Sequence, residues 1–232
     1  MCVGRDFEAK DLLNNTFGIL AGLLIPHLSF KANPLRYTSL ILLFVTVTFI
    51  ALRPLLFSII YEIRLWQDFP VLSDFETPYQ INHWRENLAE LSISKTNVRD
   101  GRFAMRAVMN QGEYPSLKLR NFHTNWEGYE SIEFSVYLDS VYPMVFIVDV
   151  YDKQHPESDY SYDDRFKMKL SLNPGWNDFS FPLSLIENAP KERSMDMKNI
   201  VAFTLYKVSL KQTVTVYVDS VWLLEKAKNQ VE

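Results

Sequence analysis

A mainly β body, a two-sheet sandwich of jelly-roll type preceded by two N-terminal transmembrane helices, is the fold class this sequence predicts. Three observations predict it. The first quarter of the chain holds two long apolar runs. After residue 66 the pattern changes to short alternating runs separated by turn residues, ten in all. Beyond that point a single segment, 182–188, reads as a helix. The averaged composition, 47% hydrophobic and 22% charged, hides the division.

The longest apolar stretch occupies residues 38–66. It has no charge from 38 to 52, and with 55–60 added it reaches about 20 residues, or about 30 Å of helix, the depth of a bilayer core. Arg53 interrupts it, at a cost of about 2.5–3.5 kcal/mol at mid-bilayer unless its side chain reaches the headgroups from near one end. Pro54 weakens the helix at the same place. Tyr61 and Trp66 suit the far interface, where amphipathic rings settle. A buried core helix is the competing reading.

The earlier run, 12–30, is broken by Pro26 and His27, and Gly18 and Gly22 have the spacing that lets two membrane helices approach closely. A signal peptide competes here, but Arg5 and Lys10 are offset by Asp6, Glu8 and Asp11, and no clean cleavage site follows. Between the runs, 31–36 carries Lys31 and Arg36 and no anion, which places that loop on the cytoplasmic side and both chain ends outside. The expected organisation is a membrane hairpin over 1–66, with helices at about 11–30 and 38–64, then a β domain over 69–226.

In that domain, 71–76, 89–94, 103–109, 116–120, 131–138, 144–151, 166–172, 177–181, 200–206 and 214–223 read as strands. From Ile132 to Leu138 the apolar residues share one face, the mark of a half-buried strand. Asn173-Pro174-Gly175-Trp176 is a turn. Trp126, Trp176 and Trp222 are assigned to the core. About 160 residues remain after the anchor, enough for one well-filled core, and ten strands at this spacing favour two stacked sheets.

Composition also excludes functions. A formal charge of −4 without a basic run argues against nucleic acid. The lone Cys2 forbids an internal disulfide, and with only a methionine before it Cys2 lacks the apolar leader that lipidation requires. His27, His83, His123 and His155 are scattered, and no glycine-rich phosphate loop or G-x-S-x-G is present, so the chain reads as no enzyme. Carboxylate pairs suited to glycoside hydrolysis arise by chance among 28 acidic residues.

Two resemblances add to this reading. Gly4-Arg5-x-Phe7 followed by Asp11, Asn15, Gly18 and Gly22 resembles the C-terminal signature of the VanZ-like bacterial membrane proteins, over about 25 residues and without that family's earlier helices. Asp11 and Asn15 lie one helical turn apart, placed to share hydrogen bonds with a neighbouring helix. This resemblance implies the bacterial inner (cytoplasmic) membrane; the basic loop 31–36 is what puts the β domain outside, as an extracytoplasmic domain.

Across 71–224, Leu72-Ser73-Asp74-Phe75-Glu76, Trp126-Glu127-Gly128-Tyr129, Pro174-Gly175-Trp176-Asn177 and Tyr217-Val218-Asp219-Ser220-Val221 resemble galactose-binding-like sandwiches of carbohydrate-binding modules. That implies a membrane-anchored, non-enzymatic domain contacting envelope or environmental glycan. Two alternatives stand beside it: a structural protein docking an envelope protein partner, and a remnant of a VanZ-like protein of glycopeptide tolerance. The second resemblance also implies a structural calcium at Glu76 and Asp219, against the reading in which Asp219 caps a strand and Glu76 is solvated.

Sugar recognition needs flat aromatic faces flanked by polar hydrogen-bonding groups. The outward-facing set on the central strands supplies Tyr137, Asp149 and Tyr151, with Arg165 and Lys167 on the next strand and Tyr206 across the sheet. A tyrosine-rich solvent face held by cross-strand pairs is the alternative. The acidic loop 152–164 is expected to rim this face, with Asp163, Asp164 and Arg165 in local ion pairs of little energetic value.

Overall fold

The computed structural model describes residues 34–226, together with isolated helical positions at Asn15, Gly18, Ile19 and Gly22. The chain divides into two units, Met1–Arg64 and Leu65–Glu232. The expected helix at 11–30, Asp11 included, falls outside the described residues apart from the helical positions Asn15, Gly18, Ile19 and Gly22. Helix α1 (Pro34–Asp68) covers the expected 38–64 helix and runs unbroken through Pro54. Thr46 Oγ1 donates to the Leu42 carbonyl, and the Arg53 guanidinium lies over the Phe57 ring. Among the described residues no helix is long and apolar enough to cross a membrane, so the two expected spans are not shown by the structure.

The second unit is a two-sheet sandwich. Its strands are β1 (Val71–Ser73), β2 (Trp84–Asn87), β3 (Ala89–Ser94), β4 (Ala104–Met109), β5 (Ser116–Leu119), β6 (Tyr129–Asp139), β7 (Met144–Asp152), β8 (Phe166–Leu172), β9 (Gly175–Pro182), β10 (Ile200–Tyr206) and β11 (Val214–Glu225). One sheet has the order β3-β4-β11-β6-β9, with β1 also on β11; the other has β2-β5-β10-β7-β8. Pairings between named strands are antiparallel. A short helix α2 (Leu183–Glu187) follows β9 where 182–188 predicted it.

Period-2 alternation builds the core between the sheets. Phe134, Val136 and Leu138 of β6 point inward to meet Phe146 and Val148 of β7 and Phe203 and Leu205 of β10. Phe134 lies edge-on to Phe203 at 5.0 Å and stacked on Phe179 at 5.2 Å. Trp84 and Trp126 are fully enclosed, and each indole N–H finds an acceptor: Ser73 Oγ for Trp84 and the His123 carbonyl for Trp126. Trp176 and Trp222, assigned to the core from sequence, are instead half-buried. Trp222 donates to Glu133 Oε2, and Trp176 packs beside Tyr137. Alternation explains Trp222, since its neighbours in β11, Val221 and Leu223, are the buried ones.

Beside β6 on one edge, strand β11 serves two neighbours on the other, and it breaks register between them. Asp219 pairs with Ser135 but Trp222 with Glu133, and Ser220 between them takes φ +55°. Such a bulge adds a residue and bends the strand. The first half then pairs β4 and the second half β1. Because Phe134 joins the two sheets through aromatic contacts, Phe134→Ala is expected to cost about 3–5 kcal/mol of unfolding free energy, read by urea titration of the intrinsic tryptophan fluorescence.

Candidate functional site

The side of the β2-β5-β10-β7-β8 sheet turned away from the core is unusually polar. Register aligns Arg85, Lys118, Thr204, Asp149 and Lys167 in one row across its five strands. Tyr206 and Ile147 face one another in the next row, and Tyr151 stands two residues beyond Asp149. Arg165, directly before β8, reaches back to Asp149, with Nη1 to Oδ2 at 3.3 Å. Lys118 Nζ donates to Tyr151 Oη at 2.8 Å. Lys167 Nζ lies 3.8 Å from the centre of the Tyr162 ring and 5.9 Å from that of Tyr206. Cations over aromatic faces in this range attract the ring quadrupole.

Asp149 is only 5% exposed and Thr204 only 6%. Burial raises the Asp149 carboxyl above its ordinary value, against the pull of Arg165, the neighbouring Thr204 hydroxyl, Lys118 and Lys167. Tyr206 is pushed up to about 12, first by burial and then by the Asp149 charge. Burial, then the charge of Arg165, lowers Lys167, which Asp149 partly offsets. At the floor of this group, Asp149 Oδ1, Thr204 Oγ1 and Arg165 Nε have no partner of hydrogen-bonding geometry. Buried polar atoms cost about 1–3 kcal/mol when unpaired, so three together mark a place suited to a ligand's hydroxyl groups.

A buried ion network positions the rim. Asp152, fully buried at the end of β7, receives Arg193 Nη1 at 2.6 Å and Nη2 at 2.9 Å, and the Asp196 amide at 2.6 Å. The same guanidinium donates through Nε and Nη2 to Asp164 at 2.6 and 2.9 Å. Asp164 also accepts Ser158 Oγ at 2.7 Å and faces His155 Nδ1 at 3.3 Å. Arg193 holds the Asp164 carboxyl down at about 2, overcoming its burial. Burial works to raise Asp152, yet the Arg193 and amide bonds leave it below the usual range. This pins both ends of the loop that carries Tyr162. The expected local ion pairs do not form: Asp163 pairs with Lys191, Asp164 with Arg193 and Arg165 with Asp149. Beyond edge strand β8 the face continues into an open groove of about 690 Å³, lined by Tyr162, Lys167, Leu185 and Lys191.

Five of the six expected ligand residues, Asp149, Tyr151, Arg165, Lys167 and Tyr206, share this face. Tyr137 does not: it belongs to β6 of the other sheet, edge-on to Trp176 at 5.5 Å and Tyr217 at 5.7 Å. Lys118, Thr204 and Tyr162 complete the face and were not singled out from sequence. For Lys118 and Thr204 the available signal was their polar place in otherwise apolar strands.

Glu76 and Asp219 have a different task from the calcium ligation implied by resemblance. Glu76 Oε1 accepts the amides of Arg102 and Phe103 at 2.6 and 2.9 Å, and Oε2 faces Arg102 Nε at 3.2 Å. Asp219 takes the Arg99 and Asp100 amides on Oδ2 and the Ser220 amide on Oδ1. Calcium requires six to eight oxygens, whereas these partners are N–H groups and one is a guanidinium. Among the described residues no group of three or more His, Cys, Asp or Glu is placed to hold a metal. The residues as folded therefore do not fit the ion; they fasten the loop between β3 and β4. Gly101 in that loop has φ +72°, and a Cβ there would meet Glu76 Oε1 at 2.5 Å, so glycine is what lets the backbone close on the carboxylate.

No family model matches the chain, and no curated protein matches it. Solved structures do. An exo-β-agarase is 14% identical with a TM-score of 0.53 over 68% of this chain, which spans only 26% of that enzyme. The family 11 carbohydrate-binding module from Clostridium thermocellum, in complex with a β-1,3-1,4-mixed-linked tetrasaccharide, is 14% identical with a TM-score of 0.50, covering 68% of this chain and 96% of the module. A family 11 module solved in solution is 15% identical with a TM-score of 0.50 over 68% of this chain and 95% of its own. The likeness is one of fold: the chain carries a β-sandwich of the kind found in carbohydrate-binding modules.

Asp164 gives the network a pH signature. Its folded value of about 2 lies below the ordinary 3.8, so its contribution is full above about pH 4 and is lost as pH falls through 2. Asp164→Asn is expected to lower stability at pH 7 by about 1.5–3 kcal/mol, the range for hydrogen bonds to charged groups. The gap from wild type should narrow toward pH 2 when thermal midpoints are compared across pH.

Proposed function

We propose that the outward face of the β2-β5-β10-β7-β8 sheet binds glycan, and that the domain does so as a non-enzymatic module. One observation carries this reading: tyrosine rings flank a floor on which Asp149, the neighbouring Thr204 hydroxyl and Arg165 keep buried polar atoms outside good hydrogen-bonding geometry. Sugars offer what such a floor lacks, hydroxyl groups that both donate and accept, while their C–H faces pack on rings. The shared sandwich fold supports the reading, since the family 11 module was solved with a bound tetrasaccharide.

The same proposal places the module on a membrane anchor, with the β domain extracytoplasmic. Its support is the uncharged run from 38 to 52 and the exposure of Leu42, Phe49, Ile50 and Phe57 along α1, apolar surface that lipid would cover. The VanZ-like signature in residues 4–22 supports the same siting by resemblance alone.

The test is affinity electrophoresis of the full chain, in a detergent without a sugar headgroup, through gels containing a panel of β-glucans, galactans and acidic polysaccharides. Retardation by at least one polymer is expected. Tyr151→Ala should weaken it about tenfold, equivalent to about 1.4 kcal/mol, with an unchanged circular dichroism spectrum. Absence of retardation across the panel would overturn the reading.

A further inference from the structure

The charge on the glycan face is out of keeping with the chain that bears it. Overall the sequence is acidic, with 24 Lys and Arg against 28 Asp and Glu. Yet the outward-pointing strand residues of this sheet include Arg85, Lys118, Lys167 and Lys169 against Asp149 alone. Arg165 at the head of β8 adds a fifth cation and, among the described residues, is the one of the five in an ion pair, with that same Asp149. Among the described residues, Arg85 spends its hydrogen bonds on the Asn82 and Trp84 carbonyls, Lys118 on a tyrosine hydroxyl, and Lys167 rests over tyrosine rings. None of these three is in a salt bridge among the described residues; Asp149, already bonded to Arg165, is the one carboxylate near Lys118 and Lys167.

The acidic loop does not neutralise the surplus. Asp152 and Asp164 are taken up by Arg193, and Asp163 by Lys191, which leaves Glu157 and Asp159 at its exposed tip. Arg165 and Lys167 meanwhile crowd one another, and Lys167 is held below its ordinary value partly by that repulsion. A face that keeps several cations close together around a single carboxylate is prepared for an anion brought by the ligand.

Resting on the glycan reading above, we infer that the ligand is an acidic polysaccharide, one bearing carboxylate or sulfate groups, whose anions meet Lys167, Arg165 and Lys118 while its hydroxyls pair with Asp149 and Thr204. Lys118 and Lys167 lie three strands apart, about 14 Å at the usual inter-strand spacing, so successive sugars along one chain reach both.

The experiment measures binding of the full chain to four polymers: polygalacturonate, a sulfated galactan, neutral mixed-linked β-glucan, and polyglutamate, which has the charge without the sugar. Preference for one or both acidic polysaccharides of at least tenfold over the other two is expected. Which of the two binds separates carboxylate from sulfate as the recognised group. Binding should weaken with added salt and fall at least tenfold in Lys167→Gln and in Lys118→Gln, each with unchanged thermal midpoint. Neutral glucan bound as tightly as the acidic polymers, with Lys167→Gln without effect, would overturn this inference and leave the glycan reading standing. Equal binding of polyglutamate would overturn it in favour of a general cationic surface. No binding to any polysaccharide would overturn both.

Discussion

Arg193 is the constraint on which the site depends. Its planar fork makes four hydrogen bonds to two carboxylates, Asp152 at the end of β7 and Asp164 just before β8. Between those residues the chain leaves the sheet for a loop whose only regular structure is one short 3₁₀ turn, His155–Ser158. A loop so polar has little apolar area to offset its ordering entropy beyond the buried His155 ring packed on Tyr151. Closing both ends on one guanidinium supplies what packing does not, because bidentate pairing fixes geometry as well as charge. Arg165 and Lys167 begin a strand whose entry point is thereby set, and Tyr162 is held near them.

From that anchoring follows a division of labour between the two sides of β7 and β10. Inward, Phe146, Val148, Phe203 and Leu205 fill the core. Outward, at the same residues' alternating neighbours, Asp149 and Thr204 are buried nearly as deeply, yet by polar and aromatic side chains of their own face. Asp149 remains beside Arg165, Lys118 and Lys167, so its charge is compensated while one oxygen stays unpaired. Leaving polar atoms unpaired costs stability. A purely structural face would have placed an apolar residue at such a depth.

Much of the sandwich was legible as period-2 alternation, because each strand buries one side. The boundaries of β3, β8 and β10 agree with the predicted runs, and α2 lies within the segment expected to be helical. Strand β2 was illegible because Trp84-Arg85-Glu86-Asn87 has a single inward residue, Trp84, and so shows no repeat. Alternation tells which side a residue faces but not to which sheet its strand belongs. That is why Tyr137, outward like Tyr151, was grouped with residues it never meets. Arg193 was invisible for a further reason: its partners lie 29 and 41 residues away in sequence, and no local pattern marks a contact made by chain return.

Carboxylates elsewhere in the sandwich show how the same group serves opposite ends. Glu76 and Asp219 both receive amides from the loop between β3 and β4, but burial lifts Asp219 to about 6 while the Arg102 backbone holds Glu76 below its ordinary value. The difference is solvent: Asp219 is fully enclosed at the β11 bulge, and Glu76 keeps part of its side chain in water. A raised carboxyl contributes stability below its unfolded value of 3.8 and gives it up as pH rises through 6; a depressed one contributes above its unfolded value and loses it on acidification. Asp219 therefore works against Asp164 and Asp152 along the pH axis. The bulge that turns β11 from β4 to β1 carries a charge penalty near neutrality, and the amides of Arg99, Asp100 and Ser220 are what limit it.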